Sequence, residues 1–379
     1  MNKIIYLDNA STTKPSAEAI AAMTSALECY GNPSSLHSLG LESEKIVEKS
    51  RSVIASKLGA DKKKVYFTSG GTEANNTAIF GVARALKKRG NKIITSKIEH
   101  PSVLESFRAL EKEGFTVVYL DVTPEGIIDM EQARHEIDED TSLVSVMTVN
   151  NETGIIQPAK EIGKILHEKS EFGLFHTDAV QAFGKVPCGV RDTGADLISV
   201  SSHKIHGPKG VGVLYVKKGV TIKPLLTGGG QEKNMRSGTE SVPLIYGLGG
   251  AIDSIGNINE KLKAQKELWS YAKNSLQSTG FVTINSTDDS LPYILNISVE
   301  GYRSETLLHF LEAQGIYVSS GSACAKGEGS YVLKEIGLSK NRIDSALRIS
   351  FSRDNTKEDV DALKNALISA TQKLRRSIK

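Results

Sequence analysis

Lys204 stands at the end of an apolar, partly β-branched run, Leu197-Ile-Ser-Val-Ser201, just before a turn containing Gly207, Pro208, Gly210 and Gly212. An amine held in such a place can be kept close to a bound carbonyl. It can then act as a Schiff-base nucleophile if its pKa falls well below the free value of about 10.4. One lysine among many is ordinarily a surface residue, so Lys204 takes its meaning from the residues around it. An electron-sink cofactor of the pyridoxal type would need such an amine. It would also need a carboxylate to keep its ring nitrogen protonated, because only the pyridinium withdraws electrons well. Asp178, at the end of another strand, is the candidate. His100 offers a flat ring to cover the cofactor face, and Gln181 a donor for the phenolic oxygen. Gly71, Thr72, Ser201 and His203 supply backbone and hydroxyl donors for a phosphate. Each has an ordinary alternative: Asp178 as a helix cap, His100 as a turn residue ahead of Pro101, Gln181 as a surface amide. The coincidence of all of them carries the reading.

The elements that must position these residues alternate between strand and helix. Strands are expected at Lys92–Ser96, Thr116–Leu120, Leu143–Val149, Leu174–Thr177, Leu197–Ser201 and Gly212–Val216, with helices such as Pro101–Lys112 and Ala159–His167 between them. This rhythm implies an α/β fold with a mostly parallel sheet and functional residues at the carboxyl ends of its strands. Glu99-His100, Asn150-Asn-Glu-Thr-Gly154, Asp178-Ala-Val-Gln181 and Ser202-His-Lys204 all fall at such ends. Polar residues thus converge on one edge of an apolar sheet, the mark of a small-molecule site. Val65–Asn76 reads as strand, glycine turn and helix, with Thr72 or Ser69 available as the cap. Free N–H groups at that helix start suit a phosphate. The stretch matches neither GxGxxG nor a P-loop. A charged helix is expected from Glu42 to Leu58, after a loop at Gly31–Gly40. Beyond Gly228-Gly-Gly230 and Met235–Glu240 a second unit begins. Its strands are expected at Phe281–Ile284, Tyr293–Val299, Ile316–Val318 and Leu347–Phe351, and its last helix at Lys357–Leu374, giving a smaller α+β domain.

Composition narrows the function. The 379 residues, 39% hydrophobic, are enough for two closely packed domains. A net charge of +3 with interspersed signs asks for neither nucleic acid nor a membrane surface. The first residues suggest no secretory leader, and no uncharged apolar run approaches the roughly 18 residues of a membrane span. Three distant cysteines, Cys29, Cys188 and Cys324, form neither a disulfide framework nor a C-x-x-C metal site, so a reducing cytoplasm is expected. His203-Lys-Ile-His206 lacks a third ligand nearby, and no metal is expected. Cys324 lies in Ser319-Ser-Gly-Ser-Ala-Cys-Ala-Lys-Gly-Glu-Gly329. A free cysteine is ordinarily a small buried residue. Here flanking glycines suggest exposure, and Lys326 favours a thiolate.

Taken together the chain resembles the cysteine desulfurases, pyridoxal-phosphate enzymes of the class V aminotransferase superfamily. The matching pieces are Tyr6–Thr13, Gly31–Gly40, Thr68–Asn76, Glu99-His100, Val149–Gly154, His176–Gln181, Ser201–Gly212, Met235–Thr239, Ser319–Cys324 and Leu347–Ser350. The resemblance implies the aspartate-aminotransferase-type fold. Residues 15–255 would form the large cofactor domain, and 1–14 with 256–379 the small one. It implies Lys204 as the Schiff-base lysine, Asp178 as the pyridinium partner and His100 as the stacking ring. Gly71, Thr72, Asn151, Gln181, Ser201 and His203 would touch pyridoxal 5'-phosphate. Thr239 would reach the phosphate of a neighbouring subunit, which implies a homodimer. Arg348, an unexpected charge inside a strand, would clamp the substrate carboxylate together with Asn151, a task that suits a guanidinium. Its ordinary alternative is a surface pair with Asp344 or Asp354. Cys324 would take sulfur from L-cysteine as a persulfide, release alanine and pass the sulfur to an acceptor protein. The Ser-Ser-Gly-Ser-Ala-Cys context resembles the group whose cysteine sits on a long mobile loop. The rival expectations are a class V aminotransferase, a selenocysteine lyase and a non-catalytic scaffold.

Overall fold

The computed structural model describes residues 4–320 and 329–377. The chain opens with β1 (Ile5–Tyr6). A set of strands follows: β2 (Val65–Thr68), β3 (Lys92–Ser96), β4 (Thr116–Leu120), β5 (Thr141–Ser145), β6 (Leu174–Asp178), β7 (Leu197–Ser201) and β8 (Gly212–Val216). These make a seven-stranded sheet in the order β2-β8-β7-β6-β5-β3-β4. Strand β8 runs antiparallel to both neighbours, and every other pairing in it is parallel. Strands covered by helices on both faces read as continuous apolar runs. In β7 all five residues are accordingly buried. The carboxyl ends of all strands but β8 point to one edge, where an open α/β sheet holds its ligand.

Among the boundaries that differ from the sequence reading, two bear on the site. Strand β5 stops at Ser145 rather than Val149. Beyond it Val146 and Thr148 still donate to the carbonyls of His176 and Asp178, at 3.1 and 2.9 Å, so the chain stays beside β6 and delivers Asn150 and Asn151 to the same edge. The helix expected from Glu42 starts at Ser38, because His37 Nδ1 accepts from the Gly40 N–H and caps it. That cap lies in a stretch whose glycines and serines disguise it as loop.

The C-terminal part carries β9 (Val282–Ile284), β10 (Ile294–Val299), β11 (Ile316–Tyr317) and β12 (Ala346–Ser350). Strands β12, β10 and β9 form an antiparallel sheet. Helices Ile258–Gln277 and Lys357–Lys373 cover it around a core of Trp269, Leu276, Leu295, Ile297, Leu347 and Leu367. Strand β1 pairs with β11, and Asp8 bridges Ser350, so the start of the chain joins this unit. From there residues 9–13 cross back to the main sheet, where Thr13 N donates to the His203 carbonyl at 2.8 Å.

A buried ion pair fixes one wall. The Arg51 guanidinium, on helix Ser38–Leu58, meets both oxygens of Glu232 at 2.7 and 2.8 Å, and Glu232 also accepts from the Phe67 N–H at 2.9 Å. The loop preceding helix Val242–Asp253, which carries Thr239, is thereby pinned to β2. Removing one partner of such a pair leaves a buried charge short of acceptors, at a cost of about 3–5 kcal/mol. Arg51 keeps Glu48 at 2.7 Å, so Glu232→Ala is expected at the lower end of that range. A melting temperature unchanged from wild type would contradict it.

Candidate active site

Asp178 closes β6 with its carboxylate fully engaged. One oxygen accepts from Asn75 Nδ2 at 2.7 Å, the other from the Val180 N–H at 2.9 Å. Asn75 also donates to Ser102 Oγ at 2.9 Å, and Ser102 lies 2.8 Å from His100 Nδ1. The Ser102 N–H donates to the same ring nitrogen at 3.1 Å, which makes His100 the cap of helix Pro101–Lys112. Its turn role and its site role are therefore held at once. Burial lowers the His100 pKa, Asp178 opposes the shift and Lys204 adds to it. A neutral ring with Nδ1 committed as acceptor keeps its proton on Nε2, the form suited to stacking.

The glycine turn is open where the sequence suggested a cap. Neither Thr72 nor Ser69 caps the helix Gly71–Leu86. Gly70 occupies the cap position, and no side chain accepts from the first turn. Ser69 instead donates its N–H to Glu73 at 2.9 Å. The first-turn N–H groups are thus left for an acceptor from outside the helix. Close approach explains two glycines here: a Cβ on Gly71 would sit 2.9 Å from Val180 Cγ2, and one on Gly212 only 2.6 Å from the Gly70 backbone. Ser201 Oγ is buried without a hydrogen-bond partner among the described residues. His203 Nδ1 lies 3.2 Å from Thr12 Oγ1, and burial with nearby Lys204 pushes its pKa down to about 4.

Lys204 Nζ donates to the carbonyls of Ala10 and Ser11, both at 2.7 Å. Gln181 Nε2 donates to the same Ala10 carbonyl at 2.9 Å. Arg348 projects from β12 to meet them. Its Nη1 donates to the Asn151 carbonyl at 2.9 Å, and its Nη2 to Asp8 at 3.0 Å and Ser11 Oγ at 2.5 Å. The partner of Arg348 is therefore Asp8, from the opposite end of the chain, and neither Asp344 nor Asp354. Arg348 Nε and Asn151 Oδ1 are both buried with no hydrogen-bond partner among the described residues. Such orphans, beside a donor-lined glycine turn and an anchored carboxylate, fit a group that brings its own acceptors and donors. Pyridoxal phosphate has that inventory: an anion, a protonated ring nitrogen and a phenolic oxygen.

Ten of the sequence candidates thus gather at one sheet edge: Gly71, Thr72, His100, Asn151, Asp178, Gln181, Ser201, His203, Lys204 and Arg348. Thr239 is exposed on its loop, and no hydrogen bond among the described residues joins it to them. Cys324 lies outside the described residues. The ends of the stretch that carries it are well placed. Ser319 exchanges backbone hydrogen bonds with Arg348, at 3.1 and 2.7 Å. Ser330 Oγ donates to Glu152 at 2.5 Å, and the Tyr331 hydroxyl to the Glu99 carbonyl at 2.5 Å. Cys29 is half-buried; Cys188 is buried, which pushes its thiol up to about 12 and leaves it inert.

Sequence reasoning assigned no role to Asp8, Ala10, Glu99 or Glu152. Backbone acceptors such as Ala10 have no signature in residue type. The two glutamates stood beside named candidates, and that adjacency was the only signal. Burial raises Glu152 to about 7, against the pull of Ser330 and Arg348. Burial raises Glu99 to about 8, against hydrogen bonds from Ser96 and Met147. The folded state therefore holds a proton on Glu99 between about 4.5 and 8 that the unfolded chain gives up. Its stabilising effect is complete below that window and is lost as pH rises through it. Glu99→Gln, neutral at every pH, should gain in melting temperature on the wild type between about pH 5 and 9, by a few degrees. A difference that stays constant across that range would contradict the assignment.

Comparison with known proteins agrees with this geometry. The family model described as aminotransferase class-V matches residues 5–363. A cysteine desulfurase IscS of Clostridium botulinum is 44% identical over 369 residues, covering 95% of this chain and 92% of its own. A putative cysteine desulfurase, IscS 1, of Bacillus subtilis is 44% identical over 366 residues, covering 94% of this chain and 95% of its own. Among solved structures, a NifS-like protein superimposes with a TM-score of 0.93 at 38% identity, covering 98% of this chain and 100% of that one. SspA in complex with cysteine gives a TM-score of 0.82 at 34% identity, covering 91% and 98%. The chain belongs to the aminotransferase class-V family, and within it to the group of the cysteine desulfurases.

Proposed function

We propose that this protein is a pyridoxal-phosphate-dependent cysteine desulfurase that moves the sulfur of L-cysteine onto Cys324 and from there to an acceptor protein. The observation that carries the reading is the anchoring of the stretch around Cys324. Ser319, before it, is tied to Arg348, and Ser330 and Tyr331, after it, to Glu152 and Glu99, the sequence neighbours of Asn151 and His100. An aminotransferase would have no use for a cysteine in a stretch tied to these residues.

Each side chain then has a task. The first-turn N–H groups at Gly71 and Thr72, with Ser201 Oγ and His203, would hold the phosphate. Asp178, oriented by its pair of hydrogen bonds, would pair with the ring nitrogen; His100 would cover the ring, and Gln181 would donate to the phenolic oxygen. When bound, the cofactor supplies an electron sink for the Cα–H bond that breaks. Lys204 would hold the cofactor through its amine, and its Nζ would take the Cα proton of the bound amino acid. Arg348, whose Nη1 donates to the Asn151 carbonyl, would orient the amino acid through its carboxylate, with Asn151 as a second contact. The Cys324 thiolate attacks the substrate sulfur. The S–S bond forms as the Cβ–S bond breaks, so L-cysteine and a thiol become L-alanine and a persulfide, with atoms and electrons conserved.

The reading takes residues 15–255 as the cofactor domain and 1–14 with 256–379 as the domain carrying Cys324. It takes the enzyme as a cytoplasmic homodimer, in which Thr239 reaches the phosphate of the neighbouring subunit. The exposed apolar residues Leu27, at the end of helix Ala17–Leu27, and Tyr30 and Leu36, in the segment before helix Ser38–Leu58, are 66, 81 and 94% exposed and support such an interface. Among the described residues no helix is long and apolar enough to cross a membrane. Iron–sulfur assembly, tRNA thiolation and cofactor synthesis are the acceptor pathways to test, by following labelled sulfur from the persulfide.

Two variants test the proposal. Cys324→Ala should lose alanine formation from L-cysteine while keeping the cofactor's visible absorption; unaffected turnover would favour the aminotransferase. Arg348→Lys, which loses the forked geometry, should raise KM for L-cysteine by about tenfold or more with a smaller effect on kcat. An unchanged KM would remove Arg348 from the carboxylate.

A further inference from the structure

Lys185 is a buried lysine, 8% exposed, that the mechanism above does not use. Residues 179–186 wind helically: Phe183 N donates to the Ala179 carbonyl and Val186 N to that of Ala182, at 2.8 and 3.0 Å. Residues four apart in such a turn share one face. Lys185 Nζ accordingly donates to Gln181 Oε1 at 3.1 Å. Beyond it stands the Tyr293 ring, with its centroid 5.8 Å from Nζ. Among the described residues no carboxylate pairs with Lys185. Its charged and titratable surroundings are Lys204, Arg348, His203 and His206. Burial and the charges of Lys204 and Arg348 lower its pKa to about 7. Burying a lysine is costly, and a methionine would fill the same volume without that cost. What only the lysine supplies is a donor.

A glutamine amide has an acceptor at one end and donors at the other, and nothing in the side chain itself decides which way it faces. The Lys185 ammonium can only donate. We infer that Lys185 is a positioning residue: by holding Gln181 Oε1 it fixes the amide so that the NH2 end is presented to the Ala10 carbonyl and to the cofactor's phenolic oxygen. The inference rests on the cofactor reading of Gln181. The Ala10 carbonyl alone is a weaker guarantee, because it is shared with Lys204, an amine that changes partners during the reaction. Lys185 belongs to the same turn as Gln181 and holds it throughout the reaction.

The test is the pH at which the visible band of the cofactor-loaded enzyme shifts. A donor to the phenolic oxygen favours its deprotonated form, so loss of the donor moves that titration to higher pH. Lys185→Met should raise it by about one pH unit, the size expected of one hydrogen bond to a charged acceptor. Gln181→Ala should do the same, and Lys185→Met added to Gln181→Ala should bring no further shift. An unmoved titration in Lys185→Met overturns the inference, as does an equal extra shift in the Gln181→Ala background, which would make Lys185 a direct charge effect. No shift in Gln181→Ala itself would overturn the cofactor reading of Gln181 and the inference with it. If Lys185→Met does not fold, Lys185→Gln keeps a donor in that position and should titrate as wild type; a shift there overturns the inference too.

Discussion

The site is built on an amine held by two backbone carbonyls. Lys204 Nζ sits against Ala10 and Ser11, on a segment that enters from the C-terminal sheet and crosses to the edge of the main one. Carbonyl oxygens accept from an ammonium and from a neutral amine alike, so this seat accommodates both forms. Asp178 is held by Asn75 and the Val180 N–H, and Asp8 by Arg348 and Ser11. The carbonyl seat thus lets the lysine change partners.

The same segment couples the two sheets. Ala10 accepts from Gln181 as well as Lys204, Thr12 meets His203, and Ser11 with Asp8 meets Arg348. Four residues near the start of the chain therefore contact the ends of β6, β7 and β12. Arg348 closes the circuit, since its backbone pairs with Ser319 while its guanidinium reaches Asn151. A shift of the C-terminal sheet would be felt at the lysine through this one strand of backbone.

Much of this was legible in the sequence because strand ends and glycine turns have strong signatures. The run Leu197–Ser201 ending at His203 and Lys204, and Asp178 closing an apolar strand, placed the cofactor side chains at one edge before any coordinates. What escaped was backbone chemistry and burial. Ala10 and Ser11 act through carbonyls, which every residue has. Asp8 pairs with Arg348 across most of the chain, where spacing gives no guide. Thr72 and Ser69 looked like caps because their side chains cap well in general. Leaving the helix start uncapped at Gly70 frees its N–H groups for an anion. Glu99 and Lys185 look like ordinary surface charges in sequence, and only packing shows them buried.

The central claim is that Lys204 carries the covalent bond to the cofactor. Borohydride reduction of the yellow holoenzyme followed by peptide mass mapping tests it directly. The account predicts a single reduced pyridoxyl-phosphate adduct, on Lys204. An adduct on Lys185 or another lysine, or none in protein that binds the cofactor, would contradict it.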